Sequence, residues 1–144
     1  MKTMARHLIA SQLFPPPGYS HAVVVEAGEG LVFTAGAVPL DEAGVLVGEG
    51  NLQAQTRRVL ANLDAALQAA GSGLEWVVAS TVYVASARQD DLVAVWDVVR
   101  ASKMSAGPHT STLLGVACLG YSGQLVEITA VATTRSGMPA DLNA

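Results

Sequence analysis

The stretch QLVEITAVATT, residues 124–134, decides the fold because its alternation separates two different faces. From 126 to 132 its even-numbered side chains are all apolar and would share one side of a β-strand: Val126, Ile128, Ala130 and Ala132. The odd-numbered side is mixed and carries one carboxylate: Leu125, Glu127, Thr129 and Val131. The apolar side is expected to meet helices, whereas the Glu127 side faces solvent or a subunit interface.

Two segments have the spacing of amphipathic helices that could cover this strand. NLQAQTRRVLANLDAALQAAGSG (51–73) predicts a helix with Asn51 as its N-cap and Gly71 as its C-terminal stop. DDLVAVWDVVRASK (90–103) predicts a second helix, capped by Asp90 or Asp91. The helices therefore flank one further strand candidate, residues 76–86.

Other strands are predicted on both sides of the helices. HAVVVEA (21–27) and LVFTAGAV (31–38) predict a hairpin around GEG, with a short third strand at 45–47. WVVASTVYVAS (76–86) is apolar on both faces, which predicts a central strand covered on both sides. TLLGVACLG (112–120) precedes the last strand. The order β-β-(β)-α-β-α-β-β predicts one α+β domain over residues 1–144, with both helices on one face of the sheet. Residues 1–18 form an N-terminal segment and residues 136–144 a loose tail.

Composition limits the class of function. The chain is 51% hydrophobic and 14% charged, against roughly 25% charged for an average domain, so we expect a homo-oligomer that buries apolar surface. The net charge is −4 and the eight Lys and Arg residues are scattered, which argues against nucleic-acid binding. Cys118 is expected to be a buried small hydrophobe in a reducing, cytoplasmic compartment. The sequence predicts no signal peptide and no membrane helix.

Familiar catalytic motifs are missing from the sequence. It has no phosphate-binding loop and no nucleophile elbow, and its isolated histidines (His7, His21 and His109) give no basis for a metal site or an organic cofactor. Glu127 is the one charged residue between Lys103 and Arg135. It is either a solvated strand carboxylate or a carboxylate in a partly apolar cleft, where it would suit proton transfer.

A second polar cluster precedes a predicted strand. In GPHTSTLLGV (107–116), four polar side chains follow a Gly-Pro break: His109, Thr110, Ser111 and Thr112. They could form a helix cap, a turn or the floor of a pocket. A pocket there would hold no charged group of its own.

Taken in order, five segments resemble those of the RidA/YjgF/UK114 family of reactive-intermediate deaminases. These are GYSHAV (18–23), LVFTAGAVPLD (31–41), QTRRVLANLDAALQAAG (55–71), WVVASTVYV (76–84) and QLVEITAVA (124–132). No motif is specific alone, but their order and spacing cover about a hundred residues. The resemblance implies a chorismate-mutase-like fold, a homotrimer with clefts between subunits, and hydrolysis of enamines or imines without metal or cofactor.

The resemblance also implies roles for individual residues. Tyr19 matches the family's N-terminal cleft tyrosine, and Glu127 matches the carboxylate that activates or orients the hydrolytic water. Gly36 matches the glycine whose backbone lines the cleft, with Ala35 where serine is frequent. The family's P-x-R-S/T segment is Pro108–Ser111 here, so Thr110 replaces the arginine that binds a substrate carboxylate.

This replacement leaves several functions open. Thr110, Ser111 and Thr112 can line a cleft for a weakly polar ligand, and His109 could replace the arginine only if it were protonated and on the right face. The first hypothesis is an enzyme acting on imines or enamines with altered substrate preference. The second is a small-molecule-binding trimer without catalysis. A chaperone-like or ribonuclease role is a third, and the acidic balance argues against the ribonuclease.

Overall fold

The computed structural model describes residues 5–107 and 109–135, which form a four-stranded mixed sheet, a two-stranded sheet and two helices. In chain order the strands and helices are β1 (Ala5–Leu8), β2 (Ala22–Val25), β3 (Leu31–Phe33), α1 (Leu52–Ala69), β4 (Val77–Val84), α2 (Gln89–Arg100), β5 (Thr110–Gly115) and β6 (Val126–Thr133). Short 3₁₀ turns lie at Leu74–Trp76 and Lys103–Ser105. The predicted α+β class is confirmed.

The larger sheet has the strand order β3-β6-β4-β5. β6 runs antiparallel to both β3 and β4, whereas β4 and β5 are parallel and are connected through α2. A bulge at Val78 shifts the register of β4 against β6 between Val77 and Ala79. Since β4 and β6 are the two inner strands, they carry the centre of the core.

The apolar side of β6 packs into this core, as its alternation predicts. Val126, Ile128 and Ala132 are fully buried. They join side chains from both helices, from β4 and from the turn after α2: Val59, Leu63 and Leu67 of α1, Val95 and Val99 of α2, Val82 and Val84 of β4, and Met104. Asn51 caps α1 as predicted, because its side chain accepts a hydrogen bond from the Ala54 amide. Gly71 follows the helix with φ of +78°.

The predicted hairpin of residues 21–27 and 31–38 is wrong. β2 pairs instead with β1, a strand that the sequence analysis did not predict, and β3 pairs with β6. Pairing with β6 places Val32 beside Ala132 on the core side, which a local hairpin would not do. The remainder of 31–38 makes a single bridge, Ala37 to Ile128, and the expected strand at 45–47 is only a bridge between Leu40 and Leu46.

Two other boundaries differ from the sequence expectation. β5 begins at Thr110 and ends at Gly115, so Thr110, Ser111 and Thr112 of the polar cluster lie in the strand, and His109 directly precedes it. α2 begins after Arg88, and its N-cap makes no side-chain hydrogen bond. Asp90 and Asp91 lie in its first turn, where negative charge is favourable, and Asp91 accepts a hydrogen bond from the Ser86 hydroxyl. Neither aspartate is the predicted cap.

Within residues 5–107 and 109–135, no helix covers the side of the sheet that carries Glu127, and we call this side the open face. It exposes large apolar side chains, with Phe33 exposed to 74%, Leu31 to 47% and Leu114 to 42%. β4 is therefore covered on one side only within a chain, contrary to the sequence expectation. Cys118 is exposed rather than buried because it lies in the loop after β5, beyond the last paired residue. The predicted loose tail lies outside the described residues.

Neither helix of the described chain combines the length and apolar character needed to cross a bilayer.

Candidate functional site

Glu127 lies in the middle of β6 on the open face, directly opposite Tyr83 of β4. Its side chain is half-buried. The buried Gln124 donates from Nε2 to the Glu127 carboxylate over 3.1 Å and to the Val126 carbonyl over 3.1 Å. The Gln124 Oε1 accepts from the Tyr121 amide, so the amide group is held from both ends. Gln124 therefore fixes one carboxylate oxygen and leaves the other for a different partner.

Gly36 lies against this carboxylate. A Cβ atom at Gly36 would collide with Oε2, Cδ and Cγ of Glu127, so a larger residue here would displace the carboxylate from this position. Paired backbone hydrogen bonds between Ala37 and Ile128 hold the loop on β6. Ala35 and Gly36 also line a cavity of about 380 Å³ between this loop and α1. The structure thus brings Glu127, Gly36 and Ala35 together in one region.

Thr110 and Thr112 of β5 lie on the open face, in register with Ala79 and Thr81 of β4. The Thr110 hydroxyl donates to the Val78 carbonyl over 2.8 Å. Val78 is the residue at the bulge of the β4–β6 ladder, so the Thr110 hydroxyl binds the backbone at this irregularity. This hydroxyl is already engaged before any ligand binds.

Ser111 and His109 lie on the helix side of the sheet, opposite Thr110. His109 is fully buried, and its Nε2 is 3.0 Å from the Ser80 hydroxyl, which is 2.8 Å from the Ser111 hydroxyl. Burial lowers the pKa of His109 to about 4; the Met104 backbone opposes this shift and His7 adds to it. His109 is therefore uncharged at neutral pH and buried away from the open face.

Tyr19 lies at the β5 edge on the helix side, packed edge-on against Trp96 of α2 with ring centroids 6.3 Å apart. The register of the sheet places Glu127 on the opposite side. The structure of one chain therefore does not bring the two predicted catalytic residues together. Pro108, part of the resembling segment, lies outside the described residues.

Sequence reasoning missed three polar residues of these regions: Gln124, Gln55 and Ser80. Gln55 is fully buried in α1; it donates to the Gly48 and Gly123 carbonyls and accepts from the Leu125 amide, tying the loop before α1 to the start of β6. Ser80 is a polar residue in the same alternating row as the apolar Val82 and Val84, and this interruption is the signal that could have found it. Across residues 5–107 and 109–135, no three His, Cys, Asp or Glu side chains are grouped as a metal site would require.

Comparisons with known proteins match nearly the whole chain. The sequence model of the family described as endoribonuclease L-PSP matches residues 10–134. The chain is 35% identical over 136 residues to protein DfrA of Myxococcus xanthus, covering 93% of this chain and 100% of that protein. It is 40% identical over 84 residues to a RutC family protein of Synechocystis, where the match spans 56% of this chain and 62% of the relative.

Solved structures give the same result for the fold. Protein YyfB of Yersinia pestis, described as a member of the conserved Rid protein family, aligns with a TM-score of 0.83 at 33% identity. The alignment covers 91% of this chain and 99% of that one. The relationship therefore extends beyond short motifs to the complete arrangement of sheet and helices.

The buried, uncharged His109 makes stability depend on pH. Its folded-state pKa of about 4 lies below the ordinary value of 6.5, so the unfolded chain binds more protons between these values and stability falls as the pH is lowered. We expect His109 alone to lower the free energy of unfolding by about 2 kcal/mol between pH 7.5 and pH 5.

Denaturant unfolding of the wild type and His109→Gln at one chain concentration measures this contribution. Gln keeps a hydrogen-bonding group but does not titrate, so the variant should lose less stability over this pH range. Identical pH dependence in the two proteins would contradict the prediction.

Proposed function

Because the chain belongs to the endoribonuclease L-PSP family, which includes the RutC and Rid proteins, we propose that it hydrolyses a small enamine or imine in clefts between three copies of the chain. Its fold is the chorismate-mutase-like α+β fold of the Rid proteins. The net charge of −4 argues against RNA as the substrate, in spite of the family's description.

The observation that carries this proposal is the setting of Glu127. A half-buried carboxylate with one oxygen fixed by Gln124 and with glycine backbone beside the other is a suitable base for one water molecule. The neighbouring side chains on the open face are largely uncharged, so little competes for that proton. A carboxylate placed only for solubility would not need a glycine packed against it.

The proposed reaction needs no group that the chain lacks. Glu127 takes a proton from water as the water oxygen bonds to the carbon of the C=N group. The proton passes to the nitrogen and gives a carbinolamine. Glu127 then takes the hydroxyl proton and returns it to the nitrogen as the C–N bond breaks, so ammonia and a carbonyl compound leave. For an enamine, protonation of its carbon first gives the imine. The proton taken from water is returned, and no oxidant or metal takes part.

The proposed trimer would explain two features that have no evident role in a single chain. Large apolar side chains on the open face would be buried by neighbouring copies. Tyr19, which lies on the other side of the sheet from Glu127, would reach the carboxylate of a neighbouring chain. The predicted homotrimer, its clefts and the cytoplasmic location remain proposals.

Thr110 supports a changed substrate preference. The family's arginine would hold a substrate carboxylate in two parallel charged hydrogen bonds, whereas the Thr110 hydroxyl is committed to Val78. We therefore propose substrates that lack a carboxylate at this point. The same observation favours a second candidate function, a trimer that binds such a molecule without hydrolysing it.

The assembly is tested by light scattering after size exclusion, which should give a mass three times that of the 14.8 kDa chain. Phe33→Asp should dissociate the assembly because it places a charge among the exposed apolar side chains of the open face. Phe14→Asp is the matched control, since Phe14 is 86% exposed in the N-terminal segment and should not affect the mass. A wild-type mass of one or two chains would overturn the proposal.

The role of Glu127 is tested by Glu127→Gln, which keeps the shape and removes the base. Turnover measured as ammonia release from generated imines should fall by roughly 10²-fold, with the assembly intact. Glu42→Gln, in an exposed loop, is the control and should retain turnover. Unchanged turnover in Glu127→Gln would reject the catalytic role, and dissociation would make the residue structural.

The role of position 110 is tested with imines made by an amino-acid oxidase, which carry a carboxylate. The wild type should hydrolyse them slowly, and Thr110→Arg should gain about 10-fold or more because a charge-assisted pair contributes ~1.5–3 kcal/mol. The variant should also lose about 1 kcal/mol of stability, since the Val78 carbonyl loses its partner.

The readout for this test is the semicarbazone that forms when hydrolysis is slow. Thr112→Arg adds the same charge two residues along the same face and should give no comparable gain. Wild-type activity equal to that of an arginine-bearing relative would contradict the view that Thr110 changes the substrate. No gain in an intact Thr110→Arg assembly would favour the non-catalytic function.

A further inference from the structure

A separate small cavity lies on the helix side of β5, away from Glu127 and the open face. It has a volume of about 220 Å³ and is lined by Pro17, Tyr19, Trp96, Ser111 and Leu113. None of these side chains is charged at neutral pH. At about 30 Å³ per water, the volume equals roughly seven waters, the size of a single substituted six-membered ring.

Two aromatic side chains form a fixed wall of this cavity. Tyr19 and Trp96 meet at an interplanar angle of 73°, the edge-to-face arrangement that aromatic pairs favour. The Trp96 Nε1 donates to the Pro17 carbonyl over 3.0 Å, which ties the N-terminal segment to α2. The indole donor is therefore already used, and Trp96 offers a ligand its apolar surface only.

The polar end of the cavity is Ser111, and it is supported from behind by buried groups. The Ser111 hydroxyl is 2.8 Å from that of Ser80, and Ser80 is 3.0 Å from Nε2 of His109. Ser80 is 6% exposed and His109 is fully buried, so solvent does not reach the inner part of this chain of hydrogen bonds. We call Ser111, Ser80 and His109 the serine–histidine relay.

Because the relay is uncharged, the cavity should favour a ligand that is also uncharged. Among residues 5–107 and 109–135, no carboxylate forms an ion pair with His109, and only the Met104 backbone favours a charged imidazolium. None of the five lining residues carries a charge that would replace the water shell of a charged ligand group at Ser111. Either hydroxyl of the serine pair can be the donor, so a ligand group that both donates and accepts suits both states of the relay.

We propose that this cavity binds a small, uncharged aromatic ring that bears a hydroxyl group, with the ring against Trp96 and Tyr19 and the hydroxyl on Ser111. Within one chain the site lies on the other side of the sheet from Glu127 and Thr110, and it shares Tyr19 with the proposed cleft. Ser80 and His109 act as positioning residues that hold the Ser111 hydroxyl toward the ligand.

The test compares phenol with toluene, which has nearly the same size and no hydroxyl, on the full-length protein by NMR titration. Phenol should bind about 5-fold more tightly, the ratio expected for one net hydrogen bond. Its binding should shift the Trp96 indole signal and also the ring nitrogens of His109, which phenol reaches only through the relay. Benzoate, charged at neutral pH, should bind more weakly than either.

Variants separate the hydroxyl contact from general packing. Ser111→Ala should bring the phenol-to-toluene ratio to about one while toluene affinity is kept, whereas Ser122→Ala in an exposed loop should leave the ratio unchanged. Leu113→Phe should fill the cavity and weaken both ligands. Circular dichroism confirms that each variant is folded.

Three results would overturn the proposal: equal affinities for phenol and toluene, an equal loss of both in Ser111→Ala, or phenol binding that leaves Trp96 and His109 unshifted. Glu127→Gln should bind phenol as the wild type does. If the wild-type protein binds phenol but shows no hydrolase activity, the proposed function is rejected and this site is kept. If the wild type hydrolyses imines but does not bind phenol, this site is rejected and the proposed function is kept.

Discussion

The burial of one side of β6 is the constraint on which the rest of the structure depends. Val126, Ile128 and Ala132 lose all exposure against the two helices, and burial of apolar area is the main favourable contribution to folding. A shift of β6 by one residue would put Glu127 in the core and expose the apolar row, so the register is strongly fixed. The position of the carboxylate on the open face follows directly from this packing.

Two buried glutamine side chains connect the core to the candidate site. The Gln55 side chain in α1 bonds to the backbone of Gly48, which precedes the helix, and to that of Gly123 and Leu125, which precede β6. Gln124, one residue before the backbone amide that Gln55 holds, then fixes the carboxylate. Each amide uses its donor and its acceptor, so neither contributes an unpaired buried polar group. The site is therefore rigid on the side of the core and open on the side away from it.

Local patterns predicted the parts of the fold that depend on local chemistry. The cap at Asn51, the end of α1 at Gly71 and the two faces of β6 follow from residues close together in sequence. The hairpin failed because strand pairing is set by which side chains the finished core must cover. Val32 is buried only when β3 reaches a partner a hundred residues away, and no local signal at GEG contains that information.

The candidate site was likewise predictable only in part from local sequence patterns. Alternation was sufficient to place Glu127 on the face opposite the helices and His109 on the face opposite Thr110. It could not predict that Ser80 would connect His109 to Ser111, because that contact joins parallel strands separated by a whole helix. Cys118 was misplaced because a short apolar run after a strand has the same composition whether it continues the ladder or leaves it.

The bulge at Val78 has a consequence for how this sequence can change over time. Its carbonyl is paired by the side chain of Thr110, on the next strand, so positions 78 and 110 form one unit. A substitution at 110 that removes the hydroxyl loses this hydrogen bond, and a change in β4 that moves the Val78 carbonyl loses the same bond. Because both changes remove one shared interaction, their effects on stability should not add. Lineages are therefore expected to alter the strand irregularity and the residue facing it jointly, and homologous chains should show the two features inherited as a pair.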